Sequence, residues 1–162
     1  MTDYVPVDLC WLEVMLAGHV SVGRSTSNIR NGRGDRYGMK YDGFSEDEGW
    51  LGALAEYGTA KHLNLHWAPF DLGAVDVGGK VQVRGVGNDK HRLLLHPGDE
   101  DDLPFVSVLV ERVQLPRVYL RGWIMGRDGK RQEWWSEPQA GRGCFCVPND
   151  ELRPMAALQE VL

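Results

Sequence analysis

Apolar residues near the start of the chain recur at helical spacing. Over residues 8–22 they predict a first helix, with Asp8 as its candidate N-cap. Residues 23–43 are rich in Gly, Asn, Ser and Arg, which indicates a long polar loop. A capping box, Ser45 with Glu48, then predicts a second helix that ends near Leu63, where Asn64 suits a left-handed stop.

After the second helix the pattern changes to short segments in which apolar and polar residues alternate. This pattern is typical of half-buried strands, and a helix or turn follows near Glu151 and again over residues 155–162. We find no repeat or linker, so one domain is expected over residues 1–162, with its core at about residues 45–150. The fold class expected is α/β of the α+β kind, a mixed and mainly antiparallel sheet flanked by helices. The predicted strands are residues 75–77, 80–86, 92–96, 105–111, 117–124 and 144–147.

The length and composition of the chain indicate what kind of protein it is. A chain of 162 residues can bury a core without a metal or a disulfide. Its three cysteines, an odd number with one C-x-C pair, are a poor disulfide framework. The first residues lack a secretion signal and no apolar run is long enough to cross a membrane, so a cytoplasmic protein is expected.

The net charge is −5, yet positive residues are concentrated in two stretches. Residues 24–40 carry five positive residues against one negative, and residues 112–131 carry six against one. Such segregation predicts a basic face that could meet phosphates, although solvated loops explain it equally well.

The candidate chemical site combines a helical Glu56 with Asp76, Gln82 and Arg84. Small residues beside Glu56 on its helix would let that face lie close to a sheet. With a two-residue turn after Asp76, its side chain would point away from Gln82. With a three-residue turn of residues 77–79, Asp76 would lie opposite Lys80, on the same side as Gln82 and Arg84, and about 8 Å or less from Glu56.

Carboxylate and amide oxygens beside a cation are suited to a hard metal ion and a phosphodiester. Mg²⁺ or Mn²⁺ takes oxygen ligands and keeps waters, one of which can attack phosphorus. Arg84 would then stabilise the charge that develops.

These segments resemble the PD-(D/E)xK nuclease superfamily, in particular its small phage-type members with a helical Glu ahead of the motif. The resemblance covers about residues 50–150 and rests on residues 53–61, 75–79, 82–84 and 120–124. It implies a restriction-endonuclease-like core and a Mg²⁺- or Mn²⁺-dependent DNA endonuclease, encoded by a phage and acting in the bacterial cytoplasm. RNA as substrate and a homodimer stay open.

By position, the resemblance makes Asp76 the principal metal ligand, Gln82 the second ligand and Glu56 the auxiliary one, with Val83 as carbonyl donor and Arg84 as the basic residue. Gln82 stands where the superfamily has an acidic ligand, which predicts weaker metal binding. Arg84 stands where it has lysine, and arginine cannot act as a base. The alternative function is an inactive module of this fold that binds nucleic acid or a protein.

Other residues extend these hypotheses. The basic residues expected to contact nucleic acid are Arg30, Arg33, Arg36, Lys40 and Lys90. The tryptophans Trp123, Trp134 and Trp135 could stack on bases, although core packing explains tryptophan more often. His62, His66, Cys144 and Cys146 could form a zinc site, but their spacing matches no recognised zinc pattern.

Overall fold

The computed structural model describes residues 4–32, 46–70, 74–138 and 140–162. Two long helices precede most of the strands. The elements are β1 (Val5–Asp8), α1 (Trp11–Arg30), α2 (Glu46–Leu63), β2 (Gln82–Val86), β3 (Leu93–Leu95), β4 (Pro104–Leu109), β5 (Arg117–Met125), α3 (Gly126–Gly129), β6 (Trp135–Ser136) and β7 (Cys144–Val147). Single turns of 3₁₀ helix lie at Arg112–Gln114, Gln132–Trp134, Asn149–Glu151 and Met155–Ala157.

The main sheet has four strands in the order β1-β5-β4-β2. Strand β2 runs parallel to β4, with Gln82 beside Phe105, and the other pairs are antiparallel. A second, antiparallel sheet has the order β3-β7-β6. The protein is thus a single mixed α+β domain whose mainly antiparallel sheet is flanked by helices, as predicted. None of the helices in the described ranges is long and apolar enough to cross a bilayer.

Helix α2 packs closely against one face of the main sheet because glycines stand at the contact. A Cβ at Gly85 would lie 2.8 Å from the Leu51 carbonyl oxygen, and one at Gly58 would lie 2.6 Å from Val118. Val81 and Val83 belong to the core on this helix face. A second core lies on the other face, where Phe105 and Ile124 of the main sheet meet residues of the smaller sheet.

A pair of glycine substitutions tests this close packing. We expect Gly85→Ala to destabilise the protein by about 1–3 kcal/mol, because its new methyl group meets the backbone of α2. Gly52→Ala is the matched control, since a Cβ there has nothing within 4 Å. Within a helix it should stabilise by about 0.5–1 kcal/mol. Urea unfolding of both variants measures the difference, and equal effects would contradict the packing described.

Helix α1 differs most from its prediction. It continues to Arg30, through residues expected to form a loop, and its N-cap is Cys10 rather than Asp8. The Cys10 amide donates to the Glu13 carboxylate at 2.7 Å, whereas Asp8 ends strand β1 and pairs with Arg117. Thr26 fits inside the helix because its hydroxyl donates to the Val22 carbonyl at 2.8 Å.

The other boundaries follow the prediction closely. Asn64 has the left-handed φ of 53° expected at the end of α2, and Ser45 of the predicted capping box lies outside the described residues. Five predicted strands correspond to β2, β3, β4, β5 and β7. The predicted strand 75–77 is wrong, since only Val77 pairs there, in isolated bridges to Trp67 and Val81. The short strands β1 and β6 were not predicted.

Candidate functional site

The turn before β2 places Asp76 beside that strand. Val77 and Val81 exchange backbone hydrogen bonds of 3.0 and 3.1 Å. The turn therefore has three residues, the second of the two alternatives, but they are residues 78–80 rather than 77–79. Gly78 and Gly79 adopt φ values of 60° and 66°, which glycine reaches without strain. This pairing sets Asp76 level with Gln82, so the predicted pairing with Lys80 is wrong by two positions.

The Asp76 carboxylate lies against the outer edge of β2, the last strand of the main sheet as described. The Val83 amide donates to its Oδ2 at 2.7 Å, and the Arg84 guanidinium lies 3.9 Å from the same oxygen. The N–H and C=O of one strand residue leave the strand on the same side. The Val83 carbonyl therefore faces this edge too, and it accepts a 3.2 Å hydrogen bond from Arg84.

Glu56 is buried on α2, with 7% of its surface exposed. Its carboxylate accepts two hydrogen bonds from Arg24, at 2.9 and 2.7 Å, and one from the Trp67 indole at 2.8 Å. Arg24 is fixed in turn by donating to the Pro69 carbonyl. The buried charge of Glu56 is thus matched by a two-pronged arginine contact, the geometry in which such pairs are strongest. Basic side chains from residues 24–40 were expected to flank the site from a loop, but the contact of Arg24 with Glu56 from a helix was not predicted.

Gln82 and Arg84 leave β2 on the face away from α2, because Val81 and Val83 occupy the helix face and side chains alternate along a strand. Arg84 lies 5.2 Å from the centre of the Phe105 ring and donates to Asp99 at 3.1 Å. The predicted grouping is therefore divided by the edge of the sheet. Glu56 lies on the helix side, Gln82 and Arg84 lie on the other, and Asp76 stands at the edge that joins them.

Charged groups on both sides of the sheet edge affect the pKa of Asp76. Burial, and after it the negative charge of Glu56, raise the pKa of Asp76, to about 6 once all of its neighbours are included. The hydrogen bond from Val83 and the charges of Arg84 and Arg24 act in the opposite direction. An ionised Asp76 is therefore under-compensated by its own surroundings, and additional positive charge at this edge would stabilise it.

The donor atoms here fit a hard cation better than a soft one. The carboxylates of Asp76 and Glu56, the Gln82 amide and the Val83 carbonyl all offer oxygen, the ligand atom that Mg²⁺ and Mn²⁺ prefer. Two carboxylates supply less charge than a typical three-acid site would. Arg24 also occupies both oxygens of Glu56, which disfavours direct ligation of a metal ion by Glu56.

His62, His66, Cys144 and Cys146, whose spacing already disfavoured a zinc site, are not brought together. Nowhere in the described ranges, which include His62, His66 and both cysteines, do three His, Cys, Asp or Glu residues group to hold a metal ion. The Cys144 and Cys146 sulfur atoms lie 3.9 Å apart in strand β7, where burial raises the pKa of the Cys144 thiol.

The basic and aromatic residues predicted to contact nucleic acid lie in different environments. Arg30 is exposed at the end of α1, Lys90 is exposed in the loop after β2, and Arg33, Arg36 and Lys40 lie outside the described residues. Trp123 and Trp134 are core residues, which contradicts a stacking role for them. Trp135 differs, because 37% of its surface is exposed.

Comparison of the chain with protein-family models, with curated proteins and with solved structures gives no match.

Proposed function

We propose that this protein is a metal-dependent nuclease of the PD-(D/E)xK type that hydrolyses phosphodiester bonds of DNA at the Asp76 edge. The observation that carries the proposal is the position of Asp76. Its partly buried carboxylate faces the outer edge of β2 between a second carboxylate and an arginine, and its own neighbours leave its charge under-compensated. The resemblance in sequence supports the same assignment.

Each residue has a distinct role in this proposal. Asp76 is the principal ligand of Mg²⁺ or Mn²⁺, with the Gln82 amide and the Val83 carbonyl as neutral ligands and Glu56 as the auxiliary carboxylate. The bound cation would supply an ionised water and neutralise phosphate charge. Arg84 orients the phosphate and stabilises the developing charge. It stays protonated, so it does not take the proton of the water.

The same resemblance supports DNA inside a bacterial cell as the setting, with a phage as the source of the gene. Hydrolysis of RNA and action as a homodimer are separate proposals, and an RNA substrate in the cleavage assay tests the first.

A second candidate function is favoured by the Arg24 contact with Glu56. An arginine that holds both oxygens of the auxiliary carboxylate takes the place that a cation would otherwise fill. The alternative is therefore a non-catalytic module that binds nucleic acid. Its binding would persist in EDTA and in Asp76→Ala, and would weaken as salt is added.

A cleavage assay separates the two functions. Wild-type protein is incubated with supercoiled DNA, linear DNA and RNA in Mg²⁺, Mn²⁺ or EDTA, beside Asp76→Ala and the surface control Asp102→Ala. We expect nicking in Mn²⁺ by the wild type and the control, and a loss of at least 100-fold in Asp76→Ala. Equal cutting by Asp76→Ala would remove Asp76 from the mechanism, and no cutting by the wild type would support the binding module.

Restoring an acidic residue at position 82 should strengthen the site. We expect Gln82→Glu to lower the Mn²⁺ concentration needed for half-maximal cleavage about tenfold, because a second charged ligand replaces a neutral one. Gln82→Met, which keeps the size of the side chain but removes its oxygen, is the control and should raise that concentration. Unchanged metal dependence in both variants would exclude Gln82 as a ligand.

A further inference from the structure

Beside Arg84 lies a cavity of about 770 Å³ whose lining is strongly basic. Five of its lining residues are basic or imidazole side chains, and the described lining contains no carboxylate, although Arg84 pairs with Asp99 at 3.1 Å from outside it. These five are Arg84, Lys90, His91, Arg92 and His96. Such a cavity attracts an extended polyanion.

Two features favour the binding of an anionic ligand in this cavity. Lys90 and Arg92 are exposed, and neither side chain forms an ion pair with any of the described residues. Arg121 is only 2% exposed and lies beneath the same loop, where it donates to the His91 carbonyl at 2.9 Å. Its Nε and Nη2 atoms are buried and have no hydrogen-bond partner. This buried cation adds positive potential below the cavity.

A second cavity, of about 760 Å³, adjoins the first. Leu94 and His96 line both cavities, and we refer to the two together as the groove. At its far end the groove is lined by Trp135, with Arg142 nearby, and Trp135 packs edge-on against Phe145 at 5.0 Å. Glu137 lines this end too, with its carboxylate accepting a hydrogen bond from the Gly141 amide at 2.7 Å, and its negative charge disfavours a phosphate there.

We infer that this groove binds a single strand of nucleic acid, with phosphates at Lys90 and Arg92 and a base stacked on Trp135. Proteins that bind single strands combine a positive groove with exposed aromatic rings, since every base offers a face for stacking. A duplex would bury its bases and leave Trp135 without a partner. The inference depends on the proposed function at one point. If the protein is a nuclease, the strand bound in the groove passes Arg84 and reaches Asp76.

Binding is measured by fluorescence anisotropy of a labelled 12-nucleotide oligothymidylate in EDTA, where cleavage cannot occur. We expect Lys90→Gln/Arg92→Gln to weaken binding at least tenfold. The slope of log affinity against log salt should fall by about 1.4, since each lost phosphate contact on a single strand removes about 0.7. Arg117→Gln/Arg127→Gln, which removes two charges outside the groove, should leave both values nearly unchanged.

Trp135→Ala should weaken binding about tenfold with no change in the salt slope, because stacking releases no counterions. Trp135→Phe should keep most of the affinity, which guards against misfolding of the alanine variant, and Trp11→Ala is the control for an exposed tryptophan elsewhere. Oligouridylate run in parallel shows whether the strand is DNA or RNA.

Wild-type protein that binds no strand, or that binds a 12-base-pair duplex as tightly as the single strand, would overturn the inference. Failure of the nuclease proposal looks different: strand binding in EDTA persists while no metal ion supports cleavage. Conversely, cleavage that is unaffected by the Lys90, Arg92 and Trp135 substitutions would support the nuclease proposal and contradict binding of the strand in the groove.

Discussion

Arg24→Leu is expected to lower the free energy of unfolding by about 3–5 kcal/mol, because it leaves the buried Glu56 carboxylate without its cation. The pair is well shielded, with 22% of the Arg24 side chain and 10% of the Glu56 side chain exposed. The Trp67 indole would remain as a hydrogen-bond donor but carries no charge. The midpoint temperature of thermal unfolding should fall by on the order of 10 °C for a domain of this size.

Two further variants make this result specific. Arg24→Leu/Glu56→Leu should recover most of the loss, since removing both charges leaves no uncompensated ion. Arg127→Leu breaks a comparable arginine–carboxylate pair with Asp102 whose side chains are 59% and 84% exposed, and should have little effect. A loss below about 1 kcal/mol in Arg24→Leu would mean that the pair does not hold α1 and α2 together.

The Arg24→Leu variant also tests whether Glu56 binds a metal ion. With Arg24 removed, Mn²⁺ would become the available cation for Glu56 and should raise the unfolding temperature of Arg24→Leu by more than that of the wild type. An equal rise in both proteins would place Glu56 outside the metal site. The wild-type arginine would then be a structural partner and not a competitor of the metal.

The residues around Asp76 show what sequence patterns could predict. The alternation of Val81 and Val83 with Gln82 and Arg84 was enough to place the last two on one face of a strand. The glycine pair indicated a three-residue turn. The register was harder, since residues 77–79 and 78–80 both put a glycine in a left-handed position, and only the hydrogen bonds between Val77 and Val81 decide between them.

Long-range partners could not be predicted in the same way. Arg24 meets Glu56 across 32 positions of sequence, and its role depends on α1 continuing past Gly23 through polar residues of weak helix propensity. The contacts of Arg24 with Glu56 and the Pro69 carbonyl tie the start of that extension to the rest of the protein, and the local sequence pattern does not reveal such contacts. The location of Glu56 and Gln82 on different sides of the sheet edge likewise follows from how α2 docks, which the spacing of either residue does not specify.

Asp76→Asn is expected to make the protein more stable at pH 8 and catalytically inactive. The folded-state pKa of Asp76 is raised to about 6 from the ordinary 3.8, so the folded state holds the proton more tightly than the unfolded state. The stabilisation from this proton is complete below about pH 4 and is lost as the pH rises through about 6. Above that pH, the ionised carboxylate destabilises the folded protein.

Asparagine removes the charge and keeps the shape. Its side-chain carbonyl can still accept the Val83 amide, the 2.7 Å contact that fixes Asp76 at the strand edge. A shift of about two pH units corresponds to an upper limit of about 3 kcal/mol, so a gain of about 1–2 kcal/mol at pH 8 is expected for a side chain that is partly exposed. Near pH 4 the two proteins should unfold at similar temperatures.

Calorimetry at pH 4, 6 and 8, with and without Mn²⁺, measures both consequences. Wild-type protein should gain stability from Mn²⁺ increasingly as the pH rises through 6, because proton and metal compete for Asp76. Asp76→Asn should show no such gain and no cleavage, while Asp102→Asn, at an exposed carboxylate, should behave as the wild type. If Asp76→Asn unfolded with the wild-type pH profile and still responded to Mn²⁺, the charge at this edge would have neither the destabilising nor the metal-binding role assigned to it. If it lost the pH dependence but the wild type never responded to metal, Asp76 would be a destabilising buried acid without a cation, and the binding module would be the function to pursue.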